Sequence, residues 1–245
     1  MVTPVSPRSF WLPRRGYAPG EYEDAFAADT VAGRFAVADG ATEGCFTGLW
    51  ARLLVDDFVT GAAPDVSAWP AAVPALQERW AADVEARPLP WYAESSVSQG
   101  AHAAFLGLAM AASADDFCQW QAVAVGDSCL LHSRGSALLR AFPLDRAEQF
   151  GNLPDLVGSR APSDDVVARQ RLWTDGRGRP GDRLWLMTDA LAQWCLAQIE
   201  AGDNAWEDLE RLLTADGEAF REWTERLRDA GGLRNDDVTL LAIPL

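Results

Sequence analysis

The chain has 245 residues, 49% hydrophobic and 23% charged, enough to bury a full core within one large domain spanning 1–245. Its net charge of -15, with dispersed basic residues, argues against a nucleic-acid partner, which would demand clustered positive charge. All 21 basic residues are Arg, and the only histidines are His102 and His132; a lysine-bearing P-loop, a kinase lysine, Schiff-base chemistry and a His-Glu-x-x-His zinc site are thereby excluded.

No apolar run reaches the about eighteen residues of a membrane span. The opening MVTPVSPRSFWLPRR has neither a signal core nor a transit-peptide pattern. A cytoplasmic location with no membrane partner is expected. Cys45, Cys118, Cys129 and Cys195 form no Cys-x-x-Cys pair and sit among apolar neighbours, which reads as reduced core thiols.

In chain order, Glu23-Asp24 precedes an apolar strand, and Arg34 to Asp39 (RFAVAD) is a second strand ending at Asp-Gly. Helical spacing follows from Thr47 to Val59 (Trp50, Leu53, Leu54, Phe58) and from Trp69 to Ala86 (Trp69, Val73, Leu76, Trp80). Between Gln99 and Leu144 the apolar runs AHAAFLGLAM, WQAVAVGD, SCLLHSR and ALLRAF predict a meander of antiparallel strands. Asp145 to Asp165 has closely spaced Pro, Gly and Asn and reads as a long loop or flap. Strands are expected at Val167 to Trp173 and Arg183 to Thr188, flanking a GRGRPGD turn. Leu191 to Ala230 is helical with a break near Gly202, and Val238 to Ile243 closes the chain as a strand. Strands with helices arriving in pairs indicate an α+β fold of two sheets with helices outside.

Chemistry rests on the acids. Asp39 and Asp189 each end an apolar strand before a small residue, Gly40 or Ala190, and Asp236-Asp237 open the last strand. Such tips present carboxylates on a rigid frame, and several on one edge could gather hard cations that prefer oxygen ligands. Singly, each reads as a turn or cap residue.

Together and in this order, Glu23-Asp24-Ala25, Asp39-Gly40, Gly126-Asp127-Ser128, Thr188-Asp189-Ala190 and Asp236-Asp237-Val238-Thr239 resemble the successive signatures of the PPM (type 2C-like) metal-dependent serine/threonine protein phosphatases, in their bacterial branch. The resemblance covers essentially the whole chain. It implies two antiparallel β-sheets in a sandwich flanked by helix pairs, a four-layer α-β-β-α arrangement, with two Mn²⁺ or Mg²⁺ ions in a cleft at one end. It further implies that Asp39 bridges the ions, Gly40 offers its carbonyl, Glu23 serves the second ion, and Asp189 and Asp236 hold the first. Asp24 and Asp237 would support these ligands from behind, and Asp127 lies in a Gly-Asp-Ser hairpin beside them. The implied activity is hydrolysis of phosphoserine or phosphothreonine on proteins by a water activated between two metals, a signalling role opposing a serine/threonine kinase. The alternatives are a weak or inactive module of this fold that binds a phosphoprotein, and a phosphatase of small metabolites.

The chain departs from the family pattern in four places. The Arg that precedes the Glu-Asp pair in many members is replaced by Pro19, leaving Arg14 or Arg15 to steer the phosphate. No His follows Asp39-Gly40, which leaves Glu43 or a coordinated water to protonate the leaving group. Gln193 stands where many members place an acid for a third metal, and Ala190 replaces a glycine. His102 and His132 fall within predicted strands and read as structural.

Overall fold

A computed structural model describes residues 6–42, 44–61, 66–88, 94–112, 117–151, 154–160 and 171–245. Among them lie eleven strands: β1 (Arg8–Leu12), β2 (Ala25–Asp29), β3 (Arg34–Gly40), β4 (His102–Ala112), β5 (Cys118–Val125), β6 (Cys129–Arg134), β7 (Ala137–Phe142), β8 (Val157–Gly158), β9 (Leu172–Gly178), β10 (Asp182–Met187) and β11 (Val238–Pro244). The helices are α1 (Thr47–Thr60), α2 (Val73–Glu85), α3 (Glu94–Gln99), α4 (Asp189–Ala201), α5 (Ala205–Leu213) and α6 (Gly217–Asp229). One sheet has the order β1-β11-β10-β6-β7; the other runs β2-β3-β4-β5-β9, with β8 paired to β4. Every described pairing is antiparallel.

Three cores stack the layers. Phe35 and Val37 of β3 and Leu106 and Leu108 of β4 meet Leu184, Leu186, Leu241 and Ile243 between the two sheets. The opposite face of β3 and β4 packs against Trp50, Leu54 and Phe58 of α1 and Trp80 of α2. Trp185 and Met187 pack outward onto Trp194, Trp206, Leu209 and Trp223 of α4 to α6. Strands β3 and β10 are thus covered on both faces, which is why they read as continuous apolar runs instead of alternating. Each fully buried large apolar side chain contributes about 1.5–3 kcal/mol relative to exposure.

Several boundaries differ from the sequence reading. The second helix begins at Val73, after a 3-10 turn over Val66–Ala72; Pro74 lacks an N–H and suits the first turn of an α-helix, where no donor is required. The expected meander is split: β4 and β5 pair in one sheet, while β6 and β7 pair in the other. Gly126-Asp127-Ser128 is therefore a crossover between sheets and not a hairpin. Gly126 has φ +99, and a Cβ there would meet the Asp155 carbonyl oxygen at 2.8 Å.

Strand β9 starts at Leu172 and takes in Gly176 to Gly178, residues assigned to the turn. Gly176 signals a turn in sequence, yet in the strand it makes room for the indole of Trp120 on β5. Positions 167–170 of that expected strand, and 152, 153 and 161–165 of the flap, lie outside the described residues. The described part of the flap carries a 3-10 turn, Ala147–Gln149, and the short strand β8. No helix among the described residues is long and apolar enough to cross a membrane.

Candidate metal centre

Sheet register brings the acids together. Asp39 follows Phe35 and Val37 on the inter-sheet face of β3, so the strand that carries core apolar residues delivers a carboxylate where the two sheets open at one end. Asp189 is the first residue of α4, just past the end of β10, and Asp236 and Asp237 precede β11 instead of opening it. A cleft of about 410 Å³ is lined by Asp39, Gly40, Asp127, Asp189 and Asp236, with Thr42, Gly100 and His102 among its other walls. Asp39 comes from one sheet and Asp189 and Asp236 from the other, with Asp127 on the crossover.

Glu23 stands behind Gly40. A Cβ at Gly40 would lie 2.6 Å from the Glu23 carbonyl oxygen, so only glycine permits this approach. Its carboxylate accepts hydrogen bonds from Thr47 Oγ1 (2.5 Å) and from the Arg14 guanidinium (3.0 Å). Arg14 also donates to Thr42 Oγ1 (2.6 Å) on the cleft wall and lies 3.9 Å from the ring centre of Tyr17. Arg15 points away, pairing with Glu225 and Asp229 on α6. Asp237 accepts from the backbone N–H groups of Arg14 and Glu23, both at 2.7 Å, and so fastens the segment after β1 to the start of β11.

Asp24 is buried; one oxygen accepts from Thr239 Oγ1 at 2.6 Å, while Oδ1 is buried with no hydrogen-bond partner among the described residues. Burial and the neighbouring charges of Asp237 and Asp189 hold its carboxyl well above the usual range. Asp39 is raised likewise, by burial and then by Asp24, Asp189, Asp236 and Asp127. Asp127 is pushed up to about 7 by burial and by Asp189, and Asp236 is raised for the same two reasons. Like charges have been concentrated here beyond what the protein neutralises.

Arg234 supplies part of the missing positive charge, and nothing in the local sequence marked it. Its guanidinium donates to Asp189 Oδ2 and lies 4.0 Å from Asp236 Oδ2. Against the cost of burial, Asp189, Asp236 and Asp127 keep it protonated more firmly than usual. Among the described residues no three His, Cys, Asp or Glu side chains are drawn tightly enough to enclose a metal ion. The donor set nonetheless fits a hard divalent cation: carboxylate oxygens, a glycine carbonyl, raised carboxyls and an orphaned Asp24 oxygen.

The remaining sequence candidates separate. Gln193 bonds to the Ala147 carbonyl at 3.4 Å, and Glu43 lies outside the described residues. His132 is buried against Asp182 (3.0 Å), as its structural reading requires. His102 is not such a residue: it is exposed and lines the cleft, because β4 carries it past the end of the sheet-to-sheet core. Cys129 and Cys195 are buried, Cys45 and Cys118 half-buried, and all four are free.

This architecture is the fold of the PPM serine/threonine phosphatases. Over 98% of both chains it is similar to the Mycobacterium tuberculosis serine/threonine phosphatase PstP/Ppp, with a TM-score of 0.62 at 18% identity. The catalytic domain of PstP in complex with two manganese ions matches at 0.59 and 20% identity, again over 98% of each chain. PppA, a regulatory component of T6SS in Pseudomonas aeruginosa, matches at 0.55 and 20% identity over 99% of this chain and 98% of that one. No family model matches the chain, and no curated protein matches it by sequence.

Proposed function

We propose that this chain is a metal-dependent phosphatase acting on phosphoserine or phosphothreonine in proteins, opposing a serine/threonine kinase. The observation that carries the reading is the convergence of Asp39, Asp189 and Asp236 from two different sheets on one cleft, in the fold of the PPM phosphatases. Asp39, Gly40 and Glu23 would hold one Mn²⁺ or Mg²⁺ ion, and Asp39, Asp189 and Asp236 another. When bound, the two ions supply Lewis acidity that activates water and offsets the phosphate charge.

The protein's own groups do the rest. Asp237 fixes the Arg14–Glu23 segment through two backbone N–H groups, and Asp24 braces β11 through Thr239. Arg14, in preference to Arg15, would hold phosphate oxygens, a role supported by its bond to Thr42 on the cleft wall and by a planar fork that suits two oxygens at once. Turnover of an aryl phosphate and of phosphopeptides, with Mn²⁺ and with chelator, tests the reading. Activity should require the metal and fall at least about a hundredfold in Asp39→Asn. A metal-supplemented wild-type chain without turnover would overturn it.

One observation favours a second reading, a module of this fold that binds a phosphoprotein without hydrolysing it. Arg234 already bridges Asp189 and Asp236. Retention of a phosphopeptide by a chain that fails to turn it over would select this reading.

A further inference from the structure

We propose that His102 is the acid that protonates the departing seryl or threonyl oxygen, a deepening that rests on the phosphatase reading above. The argument begins with register. On β3 the residues facing the opposite sheet are Phe35, Val37 and Asp39, and their partners on β4 are Leu108, Leu106 and Ala104. Cross-strand partners share a face, and side chains alternate along a strand, so two residues beyond Ala104 the same face presents His102. Leu108, Leu106 and Ala104 are buried; His102 is exposed. The apolar inter-sheet row thus runs out into the cleft and ends there on an imidazole, diagonal to Asp39.

Neighbouring backbone holds the ring in place without consuming its nitrogens. The His102 carbonyl accepts from Ala41 N–H at 2.9 Å, locking the start of β4 to the residue after Asp39-Gly40. On its other side β8 pairs His102 with Gly158, and a Cβ at Gly158 would sit 3.4 Å from the ring's Cδ2 and Nε2; the imidazole lies against a residue that has no side chain. Among the described residues the ring itself takes no hydrogen bond. His132 shows what a structural histidine looks like in this protein: buried, bonded to Asp182 and set edge-on to Trp120.

The chemistry needs such a group. When water adds to phosphorus, the bond from phosphorus to the ester oxygen breaks and its electron pair stays on that oxygen. A seryl alkoxide is a strong base and a poor leaving group unless it receives a proton as the bond breaks. An imidazolium donates that proton, giving the alcohol; the neutral imidazole is then reprotonated from solvent, and the attacking water delivers its own proton to solvent. Histidine is the side chain whose ordinary proton exchange falls nearest neutrality. His102 lines the same cleft as Asp39, Asp127, Asp189 and Asp236, where such a proton is needed.

Leaving-group dependence provides the test, because p-nitrophenolate departs readily without a proton and a seryl oxygen does not. In His102→Gln, kcat for a phosphoserine peptide should fall about 10²-fold or more, while kcat for p-nitrophenyl phosphate falls by no more than a few fold. Equal losses on both substrates, or none, would overturn the acid role while leaving the phosphatase reading standing. A second readout needs no turnover. With only two histidines, the imidazole resonances of the Mg²⁺-loaded wild-type chain can be separated, and inorganic phosphate should move those of His102 and leave those of His132 in place. A His102 ring indifferent to phosphate overturns the proposal. A wild-type chain that shifts His102 yet hydrolyses nothing overturns the phosphatase reading, and the acid role with it.

Discussion

Asp127 and Arg234 represent opposite answers to the same local problem, a surplus of negative charge in a partly dry cleft. Asp127 answers by keeping a proton, its carboxyl raised to about 7 by burial and by Asp189. The unfolded chain would bind that proton only in the ordinary carboxylate range, about 3.9. The folded state therefore holds the extra proton, so this contribution to stability is full at low pH and disappears as pH rises through about 7. Denaturant midpoints of the metal-free chain should accordingly rise between pH 8 and pH 6, and the rise should shrink in Asp127→Asn. Arg234 answers with a tethered cation that a divalent ion must displace or tolerate. Arg234→Ala is expected to tighten Mn²⁺ binding about tenfold by calorimetry, equivalent to about 1.4 kcal/mol. Weaker binding in that variant would show instead that the guanidinium supports the site.

At the scale of elements, the helices do more than cover a sheet. Trp50 of α1 donates its indole N–H to the Val157 carbonyl (2.8 Å), and Gln77 of α2 donates to the Gly158 carbonyl (2.9 Å). Two helices thus hold β8, the short strand that seats His102, through side chains buried in the core beneath α1 and α2. Trp50→Phe keeps most of the apolar surface and leaves the Val157 carbonyl buried without its donor. The expected cost is about 1–3 kcal/mol, readable in urea unfolding, with faster proteolysis in the segment after β7. A variant as stable as wild type would mean that β8 is held by its pairing to β4 and by Gln77 without help from Trp50.

For the molecule as a whole, the cleft exists only where the two sheets are stacked. Asp39 belongs to β3 in one sheet; Asp189 and Asp236 flank β10 and β11 in the other. A cation bound there is lost on unfolding, so metal binding and stability are linked. At a hundred times its Kd, Mg²⁺ or Mn²⁺ should add about 2.7 kcal/mol. That is about 5–10 °C in Tm for a chain of this size, and chelator should reverse it. A Tm indifferent to both ions and chelator would count against the assigned ligands. The far end of the sandwich behaves independently: Asp182, despite its burial, is held down at about 2 by Arg134, the Arg179 N–H and His132. Its contribution is present above the ordinary carboxylate range and is lost only in strong acid.

What the sequence determined by itself is whatever short-range pattern encodes. The runs RFAVAD and RLWLMTD name two buried strands, and the acids at or just beyond their ends are visible because a strand end is a local event. The α+β class follows from the same periodicities, and the order of the acidic motifs carries the resemblance to one phosphatase family. Tertiary structure decided the rest. That Gly126 to Ser128 crosses between sheets depends on which strands pair, not on what the turn contains. That Gly176 belongs to a strand depends on an indole more than fifty positions away. Arg14 and Arg15 are adjacent and chemically identical, yet one pairs with Glu23 and the other with α6, a difference set by what the fold packs beside each. His102 was read as structural and Arg234 was not read at all, for the same reason: both acquire meaning only from long-range register and packing, which place one at the open end of the inter-sheet row and the other against two acids.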